Sequence, residues 1–62
     1  MNINKGDTVK AVWTDGLEIV GVYSGEERGY FIILDKELKK IPCNKSSVKF
    51  ELVKLNNKKD NL

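Results

Sequence analysis

The chain contains no histidine, one cysteine and one proline among its 62 residues. Without histidine it lacks the side chain that exchanges protons most readily near neutral pH. The single cysteine, Cys43, closes no intrachain disulfide and cannot build a thiolate zinc site. A phosphate-cradling loop is missing too, since Ser24-Gly25 and Arg28-Gly29 match no P-loop spacing. No apolar run approaches the ~20 residues of a membrane span. The first residues, Met1 to Asp7, carry no signal-peptide core. These absences lead to the expectation of a non-enzymatic protein with no cofactor, no metal and no membrane segment. The lone thiol fits the reducing cytoplasm.

What is present suits one small soluble domain. The apolar fraction is 40% and the charged fraction 32%. A chain of this length buries only about 60% of its unfolded surface. Disulfide and metal being excluded, stability has to come from regular packing or from self-association. The net charge is +2. Residues 1–35 hold three basic against six acidic side chains, and residues 36–62 hold eight against three. Such a split makes one face of a small barrel basic and another acidic, or it is chance clustering on a solvated surface.

Strand patterns dominate the chain. Asp7 to Trp13 puts Val9, Ala11 and Trp13 on one uncharged face. Thr14-Asp15-Gly16 closes a hairpin, because glycine accepts the positive φ of a tight turn. The second strand, Leu17 to Tyr23, splits its apolar residues: Leu17, Ile19 and Tyr23 share one parity, Val20 and Val22 the other. Gly21 in its middle predicts the bend point at which this strand serves both halves of a small barrel. Ser24 to Gly29 reads as a polar loop. The third strand, Tyr30 to Asp35, is apolar on both faces. Lys36-Glu37 forms a turn, a short strand runs from Leu38 to Ile41, and Pro42 ends it by removing a ladder donor. Cys43 to Ser47 has room for one 3₁₀ turn, and the last strand, Val48 to Val53, alternates cleanly. No stretch keeps helical periodicity. The expected fold class is all-β: a five-stranded, strongly bent antiparallel barrel over residues 1–54, with a disordered C-terminal tail at 55–62.

The run Gly6-Asp7-x-Val9-x-Ala11-x-Trp13, then Asp15-Gly16, Gly21, Tyr30 to Leu34 and Val48 resembles the SH3-like barrel superfamily. Within it the pattern is most similar to Tudor and KOW-type modules. The Tudor likeness implies an aromatic cage for methylated side chains, with Trp13 as one wall. Ile19, Ile33 and Leu34 stand where further aromatic walls belong. One wall does not enclose a quaternary ammonium ion, so the likeness carries fold and leaves the ligand open. Thr14 to Gly21 together with the later strands also resembles Sm-like proteins, which implies edge-paired rings and RNA binding. Their usual N-terminal helix and basic-Gly signature are missing here; Cys43 to Ser47 occupies the place of that signature.

Two functions follow as expectations. The first is protein–protein interaction, as a small accessory or inhibitor module or a homo-oligomer. Its feature is the apolar surplus of Val12, Val20, Val22, Tyr30 and Ile32. The alternative is nucleic-acid or nucleotide binding through Lys36, Lys39, Lys40, Lys45 and Lys49, with aromatic rings for stacking. The candidate binding residues are Trp13, Tyr23, Arg28, Tyr30, Ile32 and those five lysines. Cys43 has two readings. A lysine-rich setting lowers a thiol pKa, whereas burial as a small apolar filler leaves it inert. Glu26 and Glu27, adjacent at a loop tip, read as solvating charges rather than an acid–base pair.

Overall fold

The computed structural model describes residues 3–53, so the expected tail at 55–62 lies outside the described residues. Five antiparallel strands form one sheet in the order β4-β3-β2-β1-β5. They are β1 (Thr8–Trp13), β2 (Glu18–Glu27), β3 (Tyr30–Leu34), β4 (Lys40–Asn44) and β5 (Val48–Leu52). The all-β expectation holds. The closed barrel does not: β4 and β5 are the two outer strands, and no ladder joins them. The sheet is nevertheless curled. A flat five-stranded sheet holds its outer strands ~19 Å apart. Only Lys45 to Ser47 join Asn44 to Val48, and four chain steps reach at most ~14 Å. Those three residues also turn back, with the Ser47 amide donating to the Asn44 carbonyl at 3.0 Å.

Three turns set the register. Asp15-Gly16 makes the first hairpin as the sequence implies, with Gly16 at φ 97° and the Leu17 amide donating to Asp15 Oδ1. The second differs from expectation. The polar stretch from Ser24 is not a loop, because β2 runs through it to Glu27. Arg28 at φ 53° and Gly29 at φ 84° form a two-residue turn of the kind that matches strand twist. Ser24 is an extra residue in the ladder: Tyr23 pairs with Ile33 and Gly25 with Ile32. Gly25, at φ 111°, supplies the backbone this bulge needs. The third turn is held by Asp35, whose Oδ1 accepts from the Glu37 and Lys39 amides. It keeps Leu38 at φ 64°, a region that costs a non-glycine residue roughly 1–2 kcal/mol.

Pro42 marks a second difference. It lies inside β4, opposite Ile32, rather than ending a strand at Ile41. The Asp35 amide donates to the Lys39 carbonyl, which makes that pair a hydrogen-bonded one. Alternation then gives Ile33–Ile41 and Phe31–Cys43 the ladder bonds. Pro42 falls between them, where its missing N–H would have faced away from β3. A proline fits an outer strand on those terms.

Every strand contributes to the core, which consists of Val9, Ala11, Tyr23, Ile33, Cys43 and Val48. Trp13, Ile19, Phe31, Ile41 and Phe50 pack around it. The rings of Tyr23, Phe31 and Phe50 meet at centroid distances of 5.4–6.2 Å in edge-on or tilted contacts, a geometry favoured by ring quadrupoles. Gly21, expected as the bend point, is a site of close backbone approach, and the ladder irregularity lies further along at Ser24. A Cβ there would stand 2.6 Å from the Leu34 carbonyl oxygen. A domain of this length has only roughly 3–9 kcal/mol of stability to lose. Gly21→Ala is expected to cost about 1–3 kcal/mol by forcing β2 and β3 apart. Urea unfolding measures this, and an unchanged midpoint would refute the close-approach reading.

Candidate functional site

The structure divides the sequence-derived candidates into separate places. Tyr23 is buried in the core, with both neighbouring rings against it, so its role is packing. Trp13 is half-buried, and it meets Lys45 and Lys49 along an open groove of about 520 Å³ between the end of β1 and the β4–β5 turn. Arg28, Tyr30, Ile32 and Lys40 line a second groove of about 300 Å³ with Glu27 and Pro42. Lys36 borders a third of about 200 Å³, lined by Thr8, Val20, Gly21, Val22, Leu34 and Asp35. Lys39 lies on the exposed β3–β4 turn.

The second and third grooves share one side of the sheet. Alternation points Val20 and Val22 of β2, Tyr30, Ile32 and Leu34 of β3, and Pro42 of β4 away from the core. Register makes them neighbours: Val22 faces Leu34, and Ile32 faces Pro42. Val20 is 54% exposed, Tyr30 45% and Val22 36%, whereas Ile32 is buried as the floor of its groove. The outer side of β2–β3–β4 is thus a continuous apolar band. Sequence reasoning found its members from strand parity. It left Leu34 and Pro42 out of the surplus; the β2–β3 register sets Leu34 beside Val22, and the β3–β4 register sets Pro42 beside Ile32.

The lysine cluster is largely occupied by carboxylates. Lys40 Nζ lies 2.9 Å from Glu27 Oε2, and Lys45 pairs with Glu26 while standing over the Phe31 ring at 5.1 Å. Lys39 Nζ is 3.4 Å from Glu37 Oε1. On β1, Lys10 lies between Glu18 at 3.8 Å and Glu51 at 3.4 Å. All these groups are substantially exposed, so each pair is worth ~0–1 kcal/mol. Their effect is chiefly on the field: acidic β2 lies across from the basic β4 segment. Where these pairs form, the sign split between the halves of the sequence is locally neutralised. Lys36 and Lys49 have no ion pair among the described residues. Stacking surface is also scarce: among the described residues Tyr30 is the one well-exposed aromatic ring.

No helix among the described residues is long and apolar enough to cross a membrane. No group of three or more acidic, cysteine or histidine side chains in those residues is placed to hold a metal ion. Compared with protein-family models, curated proteins and solved structures, the chain matches none.

Cys43 is fully buried, and its thiol donates to the Ile41 carbonyl at 3.6 Å. Burial raises its pKa, so the lysine-rich neighbourhood does not activate it. A raised folded pKa means that the native state keeps a proton the unfolded chain releases. The associated stability is intact below the free thiol's pKa of ~8.5 and is lost as pH rises through the folded value. At pH 8 an aromatic disulfide reagent should label native Cys43 at least ~100-fold more slowly than the urea-unfolded chain, since labelling waits for opening. Comparable rates would return Cys43 to the list of reactive residues.

Proposed function

We propose that the chain is a non-enzymatic binding module of the SH3-like kind, which docks on a protein partner through the outer side of β2–β3–β4. The observation that carries this reading is the continuous apolar band from Val20 and Val22 through Leu34 and Ile32 to Tyr30 and Pro42. A soluble domain has little reason to line up apolar side chains on the face turned away from its core. The strand order supports the SH3-like assignment, because β1 pairs with both β2 and β5 while β4 and β5 close the ends of a curled sheet. Charges rim the band: Glu27, Arg28 and Lys40 flank one groove and Asp35 and Lys36 the other. An apolar centre with a mixed polar rim is the anatomy of a protein interface.

The modest net charge of +2 and the paired lysines weigh against nucleic acid, whose affinity rests largely on cation contacts to phosphate. A direct comparison tests both readings. The tagged chain and its Val22→Asp variant are used to recover partners, and the tagged chain is also exposed to a random oligonucleotide pool at low salt. The expected result is a protein retained by the native chain and lost, by at least roughly tenfold, with Val22→Asp. The oligonucleotide pool is expected to pass unretained. Salt-sensitive retention of the pool, abolished by Lys36→Glu with Lys49→Glu, would replace this reading with the nucleic-acid one.

A further inference from the structure

The two outer strands differ as templates. On β5 the register alternation is fixed at both ends. The Val53 amide donates to the Thr8 carbonyl at 2.9 Å, and the Thr14 amide donates to the Ser47 carbonyl at 3.0 Å. With Lys10 opposite Glu51 and Val12 opposite Lys49, those pairs take the bonds between. The N–H and C=O groups of Val48, Phe50 and Leu52 therefore point away from β1, and among the described residues β5 has no second neighbour in the sheet. On β4 the corresponding outward positions are Lys40, Pro42 and Asn44, and the middle one has no donor. One edge is complete and the other is interrupted.

We infer that β5 pairs antiparallel with β5 of a second copy of this chain, about a twofold axis at Phe50. The register follows from charge. Centring on Phe50 sets Lys49 opposite Glu51 of the second copy, and Glu51 opposite its Lys49. Both are close, non-hydrogen-bonded pairs on the exposed side. Centring on Lys49 sets lysine against lysine, and centring on Glu51 sets glutamate against glutamate. Only the Phe50 register also lets all three outward residues bond: Phe50 with Phe50, and Val48 with Leu52 in both directions. On the core side the same register brings Leu52, exposed in the single chain, against Val48 of the second copy. A self-complementary patch of this kind is what a twofold interface requires. Head-to-tail growth from β5 onto β4 would meet the missing donor at Pro42. The surface is distinct from the apolar band on β2–β3–β4, so the two proposals stand or fall separately.

Sedimentation and amide exchange test the dimer. The 7.0 kDa chain is expected to double in mass with concentration. The Val48, Phe50 and Leu52 amides should gain protection over the same range, while the Lys49 and Glu51 amides, already bonded to β1, should change less. Lys49→Glu alone and Glu51→Lys alone each convert two attractions into two repulsions, and each should weaken dimerisation roughly tenfold or more. The double exchange, Lys49→Glu with Glu51→Lys, should restore it. Three outcomes overturn the inference: a constant 7.0 kDa mass to millimolar concentration, an assembly larger than a dimer, or a double exchange that fails to recover what the single ones lose. Val22→Asp should leave the dimer unchanged; if it abolishes the dimer, the interface lies on the outer band instead.

Discussion

Three residues, Lys45 to Ser47, carry the chain from one outer strand of the sheet to the other, and the rest of the structure has to accommodate that short reach. Asn44 holds the turn, with its Oδ1 accepting from the Ser46 amide at 2.9 Å and from the Ser46 hydroxyl at 2.7 Å. The sheet bends to bring its ends together, and the bend creates an inside. Tyr23, Phe31 and Phe50 fill it from three different strands. The Ser24 bulge and the bare backbone at Gly21 both lie on β2. That strand is central in the sheet, and the bulge bends it there. A core this small has no room for the remaining apolar residues of β2 and β3. They are left on the convex side, where the candidate docking surface arises.

Charge is arranged by the same topology. The acidic segment Glu26-Glu27 ends β2, and the turn at Arg28-Gly29 sends β3 back beside it. β4 then lies one strand further out, within reach of long side chains, so Lys40 and Lys45 meet the carboxylates that preceded them by 13 and 19 residues. Lys10 occupies the same position between two neighbours, Glu18 on β2 and Glu51 on β5. A linear segregation of sign becomes local neutralisation because the segments that differ in sign are brought side by side.

The strands β1 and β5 were legible from alternation alone, since each has one charged and one apolar face. The hairpin at Asp15-Gly16 was legible because its residue chemistry permits few other conformations. β2 was harder. Its polar end looks like a loop until the bulge and the Arg28-Gly29 turn are known, and an arginine at positive φ is not a pattern a sequence announces. Pro42 misleads in a different way. Its effect depends on which neighbour its missing donor would have faced, and that is a property of register rather than of residue type. The candidate site was legible as a surplus of apolar side chains, while its continuity depends on the β2–β3 and β3–β4 pairings. The lysine cluster was legible as composition; its neutralisation is tertiary.

Pro42 has a consequence for how this molecule ages in a crowded solution. A sheet with two complete edges is a seed from which fibrils lengthen at both ends. Here one end cannot receive a full ladder, because its central outward position offers no hydrogen. Elongation through β4 is interrupted at the first step, and the bulge at Ser24 adds local twist that a flat stack would have to remove. A single proline, placed where it costs the native ladder nothing, thus leaves that edge without a full template.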